Sequence, residues 1–122
     1  KKITKKLSEL KIAENYIVVF WSSICSHCLD EIPQLQSFIK NQEKGFVKVI
    51  AIGLEEEPNE WKTLIKKYTE FIHVYGEGKW DNEIGNIYGV TATPSYFILD
   101  KDKKIIAKPE DFEALKAFFE EK

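Results

Sequence analysis

The chain has 122 residues, of which 43% are hydrophobic and 31% charged, and a formal net charge of −2. This is the composition of one soluble globular domain, long enough to bury a core. Its 18 basic side chains are all lysine, so neither the charge balance nor bidentate guanidinium chemistry favours nucleic acid or a membrane surface, and no apolar stretch reaches the length of a membrane span.

Residues 1–15 read as mixed: a short lysine-rich edge strand over Lys2–Lys6, then a helical turn at Leu7–Leu10 that pins leucines to the core. The start, Lys1-Lys2-Ile3-Thr4-Lys5-Lys6, is too polar for a signal peptide. A single domain over residues 1–122 is expected, either whole or excised from a longer, exported protein. Tyr16 to Ser22 is a continuous apolar run, the pattern of a strand covered on both faces.

Trp21-Ser22-Ser23-Ile24-Cys25-Ser26-His27-Cys28 follows and holds both cysteines of the chain. A helix is predicted from Cys25 to Asn41, with Leu29, Ile32, Leu35, Phe38 and Ile39 as its apolar positions and a kink near Leu29 caused by Pro33. The thiols therefore fall where a strand ends and a helix begins. Unpaired N–H groups and the helix dipole would stabilise a thiolate on Cys25 there. Cys28 lies one turn on, within disulfide reach. The pattern points to thiol–disulfide exchange: one sulfur attacks a partner's disulfide and the second resolves the mixed disulfide. A structural disulfide closing so short a loop would add little stability. Zinc is disfavoured because Cys25, His27, Cys28 and His73 lack a second cysteine pair at suitable spacing, and no metal is expected.

Gly45 ends the next connection, and Phe46 to Leu54 is a second buried strand, completing a right-handed βαβ unit. Glu55-Glu56-Glu57-Pro58 is predicted to open a second helix, with Trp61, Leu64, Ile65 and Tyr68 facing inward. Phe71 to Tyr75 is a short strand, broken by Gly76-Glu77-Gly78-Lys79, and His73 is assigned to it as a strand residue. Asp81 caps a short helix running to Tyr88, stopped by Gly89. Thr93-Pro94 precedes a strand from Ser95 to Leu99, and a turn at Asp100–Lys103 leads to a returning strand from Lys104 to Ala107. Pro109 is predicted to open the last helix, with Phe112, Leu115, Phe118 and Phe119 buried. A βαβ half followed by a hairpin and a closing helix gives an α/β fold with a central sheet and helices on both faces.

These residues carry a family likeness. A C-x-x-C beside a βαβ pattern resembles a thioredoxin-like redox motif. The strand ending Val19-Phe20-Trp21, the cysteine pair, Pro33, Trp80 and the run Tyr88 to Asp100 are together similar to the thioredoxin superfamily, and within it to the TlpA/ResA-like thiol–disulfide oxidoreductases of bacterial envelopes. The likeness runs from about Leu7 onward. It implies the thioredoxin fold, with a central mixed β-sheet flanked by helices. It implies Cys25 as the exposed attacking thiol and Cys28 as the buried resolving one. Pro94 is implied to be cis beside them, with Thr93 offering backbone hydrogen bonds to an extended substrate and Trp21 bordering the site. Many thioredoxins carry a buried aspartate where this chain has Val19. TlpA/ResA-like members often use a glutamate after the second strand instead, for which Glu56 is the best positional match and Glu55 its neighbour; the plain alternative is a solvated acidic helix start. His27 is implied to modulate the pair by donating to Cys25 or placing positive charge near it, the alternative being a ring that points into solvent.

The expected activity is disulfide exchange with protein substrates, in the reducing direction in preference to the oxidising one. No cofactor is needed, since the cysteine pair carries the electrons. The expected partners are protein disulfides and an unidentified redox partner, with no nucleic acid and no membrane span, and the chain is expected to be a monomer. By resemblance its setting is the bacterial periplasm or cell envelope. The rivals are a thiol peroxidase, in which Cys25 would attack peroxide, and a non-catalytic binding module that keeps only the fold.

Overall fold

The computed structural model describes residues 13–43, 45–55, 58–77 and 93–120. The elements expected at Lys2–Leu10 and Asp81–Tyr88 lie outside these. In chain order the described elements are β1 (Asn15–Trp21), α1 (Ser26–Lys40), β2 (Val47–Glu55), α2 (Asn59–Leu64, continued by a 3₁₀ turn at Ile65–Lys67), β3 (Phe71–Glu77), β4 (Ser95–Leu99), β5 (Ile105–Ala107) and α3 (Phe112–Glu120). The five strands form one mixed sheet in the order β3-β2-β1-β4-β5. β1 pairs in parallel with β2, and β2 with β3, whereas β1–β4 and β4–β5 are antiparallel.

β1 sits in the middle, which is why it is buried at every position and apolar from Tyr16 onward. Its alternating side chains feed two cores. Ile17, Val19 and Trp21 join Cys28, Ile32, Leu35 and Ile39 of α1 and Phe112, Leu115 and Phe119 of α3. Tyr16, Val18 and Phe20 join Ile50, Ile52, Leu54, Phe97 and Leu99 on the opposite face. Both faces are closed to solvent: Val19, Leu35 and Leu115 on one, and Val18, Ile52 and Leu99 on the other, are 0% exposed. Each large apolar side chain buried this way contributes about 1.5–3 kcal/mol.

α1 runs as one helix through Pro33, which lies on its exposed side. Gly45 ends the connection to β2 with φ at +87°, a left-handed conformation that glycine enters without strain. Its carbonyl accepts the Glu14 N–H at 2.9 Å, tying the turn to the start of β1.

Three predicted boundaries move, two because a tertiary contact overrides a local signal and one because a neighbouring residue caps the helix. Glu55 does not open a helix; it is the last residue of β2, 3% exposed, and α2 starts only at Asn59 after Pro58. Gly76 does not break β3, because Leu54 and Glu55 of β2 continue the ladder opposite Gly76 and Glu77. Pro109 precedes the last helix instead of opening it. Asp111 is the residue that caps it, its Oδ1 accepting the Ala114 N–H at 2.9 Å.

Gly53 of β2 shows how tightly α2 is seated. A Cβ built there would collide with Nε1 and Cδ1 of the Trp61 indole. Gly53→Ala is therefore expected to destabilise the fold by about 1–3 kcal/mol through overpacking. The readout is a lower urea midpoint with an unchanged slope.

Candidate active site

The topology brings two distant segments together. Phe20 of β1 pairs with Ser95 of β4 in antiparallel register. The chain leaving β1 through Trp21, Ser22 and Ser23 therefore emerges beside the chain entering β4 through Thr93 and Pro94. The Thr93–Pro94 bond is cis, as the likeness implies.

Cys25 is the N-cap of α1, with an extended backbone at φ −92° and ψ 117°. Its Sγ accepts the Cys28 N–H at 3.2 Å, satisfying one of the donors a helix start leaves open. The Cys25 thiol donates in turn to the Thr93 carbonyl oxygen at 3.5 Å. Cys25 is partly exposed, whereas Cys28 is 0% exposed within the core beneath α1. Burial pushes the Cys28 thiol far above its ordinary range, and the hydrogen bond with Cys25 adds to the shift. The Ser22 backbone and the Thr93 side chain pull more weakly the other way. The pair thus combines an accessible sulfur at a helix tip with a protonated sulfur one turn behind it, an arrangement that can cycle between dithiol and disulfide.

Ser22 and Ser23 are buried in the loop before Cys25. Ser22 O accepts the Cys25 N–H at 3.2 Å, and Ser22 Oγ accepts the Ile24 N–H at 3.3 Å. The Ser23 N–H donates to Glu55 Oε2 and the Ser23 hydroxyl to Glu55 Oε1, both at 2.8 Å. Behind the cysteines, Glu31 Oε1 accepts from the Tyr96 hydroxyl at 2.7 Å and from the Phe112 N–H at 2.9 Å. That carboxylate joins α1, β4 and the start of α3. Burial and Glu31 together raise the Tyr96 pKa, so the phenol stays neutral and donates.

The family model for thioredoxin-like proteins matches residues 14–105. The chain belongs to this family. Among its relatives is the thiol–disulfide oxidoreductase ResA of Bacillus thuringiensis, 35% identical over 89 residues, which are 71% of this chain and 49% of that protein. ResA of Bacillus cereus is 32% identical over 105 residues, 84% of this chain and 58% of that protein. The chain thus spans about half the length of the curated relatives it matches. A domain described as a possible thiol-disulfide isomerase from Cytophaga hutchinsonii is 33% identical with a TM-score of 0.76, over 94% of this chain and 78% of that one. StoA from Bacillus subtilis is 26% identical with a TM-score of 0.70, over 91% and 85% of the two chains. The five-stranded mixed sheet with its helices is consistent with the thioredoxin-like fold.

Within this family frame the named residues separate. Cys25, Cys28, Thr93 and Pro94 meet. Trp21 packs in the same core as Cys28 and is 0% exposed, so it lies behind the cysteines and offers a substrate no surface in this state. His27 is exposed and makes no hydrogen bond to Cys25 among the described residues. Glu56 lies outside the described residues; its neighbour Glu55 is bound to the Ser23 loop. Glu31 and Ser23 went unnoticed in the sequence. The spacing of Glu31, three residues after Cys28 and so on the same helix face, was the signal available for it.

His73 lies in β3, away from the cysteines. Its ring nitrogen Nε2 is 2.7 Å from the Tyr68 carbonyl oxygen, to which it donates, and Nδ1 is buried without a partner among the described residues. Burial holds its pKa below the ordinary histidine value. As pH falls through that ordinary value, the unfolded chain binds a proton here before the folded protein does, so stability is lost on acidification. His73→Phe is expected to show a shallower loss of Tm than the native protein between neutral pH and about pH 5.

Proposed function

We propose that this chain is a protein thiol–disulfide oxidoreductase that works as a reductase. The observation that carries the reading is Cys25: a partly exposed sulfur at the tip of α1, held by the Cys28 N–H and lying beside the Thr93 carbonyl, with Cys28 sealed behind it. The Cys25 thiolate attacks one sulfur of a substrate disulfide. A mixed disulfide forms and one substrate thiolate leaves. Cys28 loses its proton and attacks Cys25 Sγ, which closes the Cys25–Cys28 disulfide and releases the second substrate thiolate. Two electrons pass to the substrate, and a dithiol partner restores the pair. No cofactor or metal takes part.

The reducing direction is supported by what surrounds the sulfurs. An oxidant needs a strongly stabilised dithiol state. Here burial disfavours the Cys28 thiolate, and His27 points into solvent instead of donating to Cys25. Polypeptide substrates dock as extended segments along Thr93-Pro94, where β4 begins. The protein acts as a monomer in the bacterial envelope, a setting that rests on its resemblance to TlpA/ResA-like proteins. Among the described residues no helix is long and apolar enough to cross a membrane.

Insulin reduction in the presence of dithiothreitol tests the activity: acceleration over dithiothreitol alone is expected, and its absence would leave a binding module. Equilibration with glutathione tests the direction. A potential near about −270 mV marks a reductant and one near about −120 mV an oxidant. Peroxide consumption without insulin turnover would favour a peroxidase.

A further inference from the structure

The loop that carries Cys25 has little apolar anchoring of its own. Ile24 is 65% exposed, and the two residues before it are serines. The bonds that Ser22 accepts from the Cys25 and Ile24 N–H groups are internal to the loop. Its backbone is tied to the sheet through Glu55, which stands at the end of β2, 32 positions away in sequence. Both oxygens of that carboxylate accept from a single residue, one from the Ser23 amide and one from the Ser23 hydroxyl, each at 2.8 Å. Two bonds from one carboxylate fix the orientation of Ser23 as well as its place. Burying a carboxylate costs several kcal/mol unless its oxygens are satisfied, so a glutamate at 3% exposure is not explained by packing.

Ser23 is two residues ahead of Cys25, and rotation of its backbone would swing the sulfur. The Cys28 N–H to Cys25 Sγ contact is 3.2 Å, and hydrogen bonds weaken steeply as they are misaligned. We propose that Glu55 is a positioning residue: by clamping Ser23 it holds Cys25 over the Cys28 amide in the first turn of α1, and the reactivity of that sulfur depends on the clamp. The inference rests on the reading of Cys25 as the attacking thiol. Glu55 acts through Ser23 and touches neither substrate nor sulfur in this role.

The test is Ser23→Ala in the full chain, with native circular dichroism confirmed at the assay temperature. Alkylation of Cys25 by iodoacetamide at neutral pH is expected to slow about fivefold, the factor carried by one ordinary hydrogen bond. The equilibrium with glutathione is expected to move by a similar factor toward the Cys25–Cys28 disulfide. Ser23→Thr keeps the hydroxyl and is expected to stay within about twofold of the native protein on both measures. Ser23→Gly, a second variant without the hydroxyl, is expected to repeat the loss. A folded Ala or Gly variant with native alkylation and native glutathione equilibrium overturns the proposal, as does a Thr variant that falls with them. Failure of both hydroxyl-free variants to fold overturns it too, since the pair would then be structural. Native insulin turnover is measured alongside: a protein that turns over no insulin but whose alkylation still follows Ser23 refutes the proposed activity and leaves the clamp standing.

Discussion

Cys25→Ser is expected to reduce insulin no faster than dithiothreitol alone, while keeping the native fold. No second exposed sulfur is present to replace it, because Cys28 is the only other cysteine and is 0% exposed. Serine at this position keeps the N-cap, since its hydroxyl can accept the Cys28 N–H that the sulfur accepts now, so stability is expected to change little. Cys28→Ser is expected to fail differently. Its Cys25 still attacks but nothing resolves the product, so the mixed disulfide with the substrate accumulates and is visible on a non-reducing gel. The asymmetry between the thiols has a second readout. Burial holds the Cys28 thiol protonated and out of reach, so iodoacetamide is expected to modify Cys25 alone in the native dithiol and both cysteines only after denaturation. Equal modification of both in the native protein would contradict the assigned roles.

Trp21→Ala is expected to cost about 3–5 kcal/mol of stability, as removal of a large buried aromatic from a core does. Trp21 ends β1 with no exposed surface and packs edge-on against Tyr68, with ring centroids 5.9 Å apart and planes at 81°. It shares its core with Cys28, Ile32 and Tyr96. Against a total of about 5–15 kcal/mol for a domain, this is a large fraction, measurable as a lower urea midpoint. Trp21→Phe is expected to cost less than half as much, because it keeps most of the apolar surface and removes an indole N–H that is buried without a partner among the described residues. The pair of variants separates packing from recognition. A residue that touched substrate would change the KM for insulin at native stability, whereas here stability is expected to move first.

Some of the site was legible because its signals are local. An unbroken apolar run marks a strand covered on both sides, and β1 is that strand. Cysteines three apart at the start of a helical pattern must share one helix face, and they do so at the tip of α1. Asp100 shows local turn chemistry, its carboxylate accepting the Asp102 and Lys104 N–H groups at 2.9 and 3.0 Å. The acidic run Glu55-Glu56-Glu57 was not legible in this way. Its members are chemically alike, and a helix start welcomes acid as readily as a buried loop that lacks an acceptor. The continuation of β2 beside β3 and the approach of Ser23 are what bury Glu55. The last helix is a different case: its start was expected at Pro109, and the local bond from the Ala114 N–H to Asp111 places the cap at Asp111.

The sequence by itself determined the α/β pattern and the placing of both cysteines where a strand meets a helix, because each is written in the spacing of a few neighbouring residues, while the cis proline beside them was implied only by the likeness to the thioredoxin superfamily. Tertiary structure decided which thiol sees water, that Trp21 faces inward, that His27 faces out, and which carboxylates hold the site: Glu55 on the loop, and Glu31 on Tyr96 and the start of α3. The physical reason is one of range. Backbone geometry and helix-end electrostatics act over a single turn, whereas burial and the pairing of a buried charge depend on segments tens of residues apart that meet only once the sheet has formed.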